Sequence, residues 1–173
     1  MAFQVPFNRP FQSGNELEYI SEAIGQGDLS GDGDFSHRCA ELLKSRYGIH
    51  HLLLTPSCTA ALELSFMLLD LSEGDEVIVP SFTFVTTASA VVRAGGKPVF
   101  VDIRPDTLNL NPELVEQAIT PNTKAIVPVH YAGVGCEMSA FNSLAQKNGL
   151  RIIEDAAQGV HAYCDGNALG SMG

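Results

Sequence analysis

The segment Arg151-Ile152-Ile153-Glu154-Asp155-Ala156-Ala157-Gln158 carries an aspartate at the end of an apolar run that reads as a buried strand. In open α/β sheets ligands gather outside the carboxyl ends of strands, so this carboxylate is aimed at a bound molecule. A strand-end acid also caps turns or pairs with basic side chains. A second segment, Thr55-Pro56-Ser57-Cys58-Thr59-Ala60-Ala61, joins a strand to a helix. It sets the backbone N–H groups of residues 57–59 at a helix N-terminus, where unpaired donors and the macrodipole favour an anion such as phosphate. Ser and Thr cap helices without any ligand as well, and alone this segment leaves both readings open. A third, Pro80-Ser81-Phe82-Thr83-Phe84-Val85, puts two aromatic rings at another strand's carboxyl end, able to stack on a planar ligand or simply to pack.

The combination is more selective than its parts. An anion site, a stacking ring and a carboxylate at the ends of three different strands suit a phosphorylated aromatic heterocycle with a basic ring nitrogen. Pyridoxal phosphate is such a molecule. A carboxylate against its pyridine nitrogen favours the protonated ring, which is the better electron sink for the carbanion of amino transfer. Other chemistries find less support. There is no G-x-x-x-x-G-K-[ST] loop and no G-x-G-x-x-G fingerprint. Asp28-x-Ser30-x-Asp32-Gly33 imitates a calcium loop, but Cys39 stands where a bidentate glutamate is needed. The five histidines lack metal-ligand spacing, although His130, in His130-Tyr131-Ala132-Gly133 at a strand end, is placed equally well to touch substrate or to pack. Cys39, Cys58, Cys136 and Cys164 form no C-x-x-C and read as reduced, partly buried thiols.

The elements that must position these residues follow from the apolar pattern. The 173 residues, 45% hydrophobic, suffice for one sizeable core. The excess of 20 acidic over 10 basic residues opposes binding to nucleic acid or anionic lipid. No apolar run approaches the roughly 20 residues of a membrane span, and the amino terminus lacks the basic and apolar regions of a signal peptide, so a cytoplasmic protein is expected. After an extended, proline-bearing start, the capping-box spacing of Ser13 and Glu16 opens a helix over 13–25. A Gly/Asp-rich loop follows over 25–33, then a helix to about Gly48, capped by Asp34 and turning Phe35, Cys39, Leu42 and Leu43 inward. Strands at 52–54, 77–79, 99–101, 125–127 and 151–154 then alternate with helices at 60–69, 86–93, 112–119 and 139–148, and a hairpin closes at Asp165-Gly166. This order predicts an α/β fold with a mainly parallel sheet covered by helices on both faces.

Five blocks in order carry a family resemblance. They are Leu29-Ser30-Gly31-Asp32-Gly33, Thr55-Pro56-Ser57-Cys58-Thr59-Ala60-Ala61-Leu62, Pro80-Ser81-Phe82-Thr83-Phe84-Val85, Val127-Pro128-Val129-His130-Tyr131-Ala132-Gly133 and Ile153-Glu154-Asp155-Ala156-Ala157-Gln158. With them the chain resembles the N-terminal part of the DegT/DnrJ/EryC1/StrS sugar aminotransferases, which have the type I pyridoxal-phosphate fold. The resemblance implies that residues 1–173 are part of the cofactor-binding large domain, with the rest of that domain and a C-terminal small domain absent. It implies that Cys58 and Thr59 bind the cofactor phosphate, Phe84 stacks on the ring, Asp155 pairs with the pyridine nitrogen and Gln158 lies near the ring hydroxyl. Loop 28–33 is expected near an active site completed by a second subunit in a homodimer or higher homo-oligomer. The implied substrates are a nucleotide-linked 4-keto-6-deoxy sugar, dTDP-4-dehydro-6-deoxy-D-glucose, and glutamate as amino donor. One departure stands out: the family's Schiff-base lysine, in a Ser-Phe-His-x-x-Lys-like segment, has no counterpart here. Lys44, Lys97, Lys124 and Lys147 fall outside the cofactor motifs and are expected at the surface, so the chain alone is expected to be inactive. The alternative is a non-catalytic binding or assembly protein that keeps the fold without turnover.

Overall fold

The computed structural model describes residues 9–27 and 29–173; the extended start read at residues 1–8, and Asp28 of the Gly/Asp-rich loop, lie outside the described residues. The chain groups into two compact units, Met1–Leu54 and Thr55–Gly173.

Among its described residues the first unit holds two helices, α1 (Glu16–Gln26) and α2 (Asp34–Tyr47). The Glu16 carboxylate accepts from the N–H groups of Ser13 and Gly14 and from Ser13 Oγ, which is half of the expected capping box. Gly14, at φ 99°, turns the chain, and the helix opens at Glu16 instead of Ser13. Nor is Asp34 the cap of α2. Gly33 holds that position, and Asp34 sits in the first turn, where its charge complements the macrodipole. The inward face expected of α2 is only partly covered: Cys39 and Leu42 are exposed and Phe35 is half-buried beneath the Arg38 guanidinium, 4.5 Å from the ring centre. Two helices by themselves are too few to enclose four side chains. Residues 52–54 form no strand, and Leu53 is 90% exposed. A strand exists only through its ladder, and an apolar run supplies no partner by itself.

The second unit alternates as the pattern requires: α3 (Cys58–Met67), β1 (Glu76–Pro80), α4 (Val85–Arg93), β2 (Lys97–Val101), α5 (Pro112–Ala118), β3 (Thr123–Ile126), α6 (Met138–Asn148) and β4 (Arg151–Ile152). The four strands are all parallel, in the order β2-β1-β3-β4. The period of two along a strand divides the core between the faces. Val77 and Val79 of β1 pack with Leu62 and Phe66 of α3 and with Ala90 and Val91 of α4, whereas Ile78 packs with Val115 of α5 and Phe141 of α6. Asn111 Oδ1 caps α5 by accepting the Glu113 N–H at 2.9 Å, with Pro112 in the first turn as expected. The strand expected at 151–154 is shorter, but pairing resumes as a bridge between Val129 and Asp155. A hairpin of β5 (Tyr163–Cys164) and β6 (Asn167–Ala168) turns at Asp165 (φ 50°) and Gly166 (φ 81°), both left-handed as a two-residue hairpin turn demands.

The chain leaves β1 for β2 on one side and reaches β3 on the other, so the strand order reverses between β1 and β3. The crevice outside the carboxyl ends of these strands is where such a sheet binds ligands.

Candidate active site

Asp155 follows β4 at that crevice and is 5% exposed. Its backbone continues the ladder: its N–H donates to the Pro128 carbonyl at 2.9 Å, and its carbonyl accepts from the His130 N–H at 3.0 Å. The side chain is gripped from two sides. Oδ2 accepts from Thr87 Oγ1 at 2.8 Å, and Oδ1 accepts from the Ala157 N–H at 3.2 Å and from Cys58 Sγ at 3.7 Å. The structure therefore brings the strand-end carboxylate and the first turn of α3 into contact.

That turn is built for its place. Ser57 caps α3, its Oγ accepting the Ala60 N–H at 3.1 Å. The N–H groups of Cys58 and Thr59 lie in the first turn, where an α-helix offers them no internal acceptor. Partial burial and the Asp155 carboxylate push the Cys58 thiol up to about 11, so at neutral pH it is an S–H donor to Asp155 and no nucleophile.

Phe84 stands at the N-cap of α4 and is 70% exposed, while Phe82, 42% exposed, leans on Tyr131 with ring centres 4.6 Å apart. Of the two aromatics at the end of β1, Phe84 thus presents the open face and Phe82 packs. Gln158 is exposed, and its Oε1 accepts the Ala132 N–H. It ties down the 3-10 turn Tyr131–Gly133, in which Ala132 adopts φ 52°. A Cβ at Gly133 (φ 77°) would stand 3.1 Å from the Gln158 carbonyl, so the turn needs glycine there on both counts. Loop residues 29–33 belong to the first unit.

His130 is buried and packs. Its Nδ1 accepts the Cys136 N–H at 3.1 Å, which leaves the ring proton on Nε2, 2.8 Å from Glu154 Oε2. Glu154 in turn accepts the N–H groups of Gly170, Met172 and Gly173. Burial pushes its carboxyl up, but the hydrogen bonds from His130, Met172 and Gly170 outweigh this and hold it below the ordinary 4.5. The sequence reading passed over this pair and over Thr87. The signal for Thr87 was a hydroxyl on the apolar stripe of α4, in register with Val91.

The four lysines are tied elsewhere: Lys44 to Glu41 at 3.0 Å, Lys97 to Glu76 at 2.9 Å, Lys124 to Asp75 at 3.4 Å and Lys147 to Glu116 at 3.0 Å. None of Lys97, Lys124 and Lys147 has an ion pair with Asp155 or with the first turn of α3.

A parallel sheet wound on both faces, with a buried acid at a strand end beside a helix N-terminus, defines a doubly wound α/β architecture with its ligand crevice at the carboxyl ends of the strands. The chain belongs to the DegT/DnrJ/EryC1/StrS aminotransferase family, whose model matches residues 11–173. Members of this family depend on pyridoxal 5′-phosphate. Among solved structures, the aminotransferase TlmJ from Streptoalloteichus hindustanus superposes with a TM-score of 0.92 at 32% identity, over 98% of this chain and 47% of its own. DesI in the presence of its TDP-sugar product gives 0.85 at 34% identity, over 95% of this chain and 41% of that one. NtdA from Bacillus subtilis with bound cofactor PMP gives 0.79 at 35% identity, over 83% and 33%. The chain spans less than half the length of each.

Proposed function

We propose that this chain is the cofactor-holding part of a pyridoxal-phosphate-dependent aminotransferase of nucleotide sugars. The substrate we assign is dTDP-4-dehydro-6-deoxy-D-glucose, with glutamate as amino donor and dTDP-4-amino-4,6-dideoxygalactose as product. One observation carries the reading: Cys58, in the first turn of α3, and Asp155, at the end of β4, are in contact at 3.7 Å, so one small molecule can reach both. The residues fit the cofactor. The N–H groups of Cys58 and Thr59 are donors for its phosphate, Phe84 offers a free ring face, and Asp155 is an acceptor for a pyridinium N–H. Gln158, whose amide oxygen is engaged by Ala132, turns its NH2 end to the ring hydroxyl in this reading. Bound there, the cofactor supplies an electron sink for the carbanion formed in amino transfer. The chain's own residues bind and orient it and, through Asp155, hold a proton at the ring nitrogen. A homodimer or higher homo-oligomer in the cytoplasm completes the reading. Exposed apolar side chains, such as Leu17, Ile20 and Ile24 on α1 and Leu64 and Met67 on α3, supply association surface.

A second reading, a non-catalytic protein that keeps the fold and binds without turnover, draws on the lysines: all four are engaged in ion pairs with acids. Glutamate-dependent amination of the dTDP-sugar by the assembled enzyme decides between them. In that assay Asp155→Ala is expected to cut turnover by about a hundredfold or more while soluble yield changes little, since an electrostatic contact to the reacting system is worth roughly that factor. Near-normal turnover of the variant contradicts the assigned role of Asp155.

A further inference from the structure

Asp155 does not stand alone behind its ring-facing role; a short chain of hydroxyls stands behind it. Thr87, in the first turn of α4, is wholly buried, and its Oγ1 lies 2.8 Å from Asp155 Oδ2. Thr83, one turn earlier in the loop after β1, places its own Oγ1 2.8 Å from that of Thr87. Elementary donor counting fixes the direction of this chain. An ionised carboxylate only accepts, and a hydroxyl has one proton to give. Thr87 therefore donates to Asp155, must accept from Thr83, and Thr83 donates.

A carboxylate offers about four lone-pair sites. Thr87, the Ala157 N–H and the Cys58 S–H direct donors to three of them, from α4, from the turn after β4 and from α3. Among the described residues no donor meets the fourth, and a ligand that uses it must itself donate. We propose that Thr87, backed by Thr83, is a positioning residue that locks the Asp155 carboxylate so that its open acceptor site meets the N–H of a protonated heterocycle. This rests on the proposed cofactor role and adds a selectivity to it: a ring nitrogen carrying a proton is bound, and an acceptor nitrogen is refused. Because Thr83 lies between Phe82 and Phe84, the same chain ties the ring-stacking loop to the acid, so the two contacts to the heterocycle are set together.

The probe is pyridoxal 5′-phosphate labelled with 15N in its ring, added to the 173-residue chain and to its Thr87→Val, Thr87→Ser and Thr83→Val variants. The ring-nitrogen chemical shift reports protonation directly, and circular dichroism with thermal unfolding reports the fold. In the unmodified chain and in Thr87→Ser the shift is that of a protonated ring. In Thr87→Val it moves towards the neutral ring and the dissociation constant rises by roughly tenfold, the size of one charge-assisted hydrogen bond. Thr83→Val, at a less buried position, moves both in the same direction by less and serves where Thr87→Val fails to fold. A folded Thr87→Val, or in its place a folded Thr83→Val, with the unmodified shift and affinity overturns the inference and leaves the cofactor site standing. If the unmodified chain binds no cofactor, the functional reading falls and this one with it.

Discussion

At Cys58 two influences act on one thiol: partial burial resists a thiolate, and the Asp155 carboxylate adds a negative charge and an acceptor 3.7 Å away. Both favour the neutral S–H, which is why the thiol is pushed up to about 11. A cysteine at a helix N-terminus ordinarily moves the other way, because the macrodipole favours the thiolate. Burial, reinforced by the neighbouring acid, wins here. Alkylation of Cys58, followed by mass spectrometry, is therefore expected to go on accelerating as pH rises through 9 and 10. Asp155→Asn removes the charge but not the burial, so it should shift the profile part of the way down towards an ordinary thiol. A profile indifferent to Asp155→Asn contradicts the contact. Asp155 itself was legible from the sequence because an acid after a run of apolar β-formers has few ways to be placed. Thr87 was not, since a threonine on an apolar helix stripe is more often a tolerated packing residue than a donor to a site.

Glu154 sits one residue before Asp155 and works on elements instead of ligand. Its carboxylate collects His130 from the segment that follows β3 and the N–H groups of Gly170, Met172 and Gly173 that follow β6, so it joins three separate stretches of chain. Its carboxyl titrates below 4.5 in the folded protein, so the stability it contributes is fully present above about pH 4.5 and is lost as pH falls through the folded value. Glu154→Gln should cost about 2 kcal/mol near pH 7, the scale of hydrogen bonds to a charged group. In urea unfolding the gap to the unmodified protein should close as pH drops below 4.5. A gap constant with pH would show that Glu154 acts only by its shape. At this scale the strands and helices of residues 60–169 were readable because period and turn chemistry agree, as at Asn111-Pro112 and Asp165-Gly166. Residues 52–54 were misread as a strand because three leucines report burial preference and not the presence of a neighbour. Asp34 was misread as a cap because Gly33 takes the extended geometry (φ −78°, ψ −176°) a cap requires.

For the molecule as a whole, the parallel sheet sets the ends of β1, β3 and β4 side by side, and the site is a product of that order. Each of the lysines is paired with an acid. Borohydride reduction of the 173-residue chain with pyridoxal 5′-phosphate should accordingly yield no stoichiometric adduct at a single residue. Peptide mapping that finds one unique adduct on Lys44, Lys97, Lys124 or Lys147 would overturn the assignment of these residues to the surface. The most direct test of the account is a crystal structure of the protein with pyridoxal 5′-phosphate. The account predicts one molecule whose phosphate oxygens accept from the N–H groups of Cys58 and Thr59 while its ring nitrogen lies within hydrogen-bond distance of Asp155. A phosphate bound away from the first turn of α3, or a ring whose nitrogen faces away from Asp155, would contradict it.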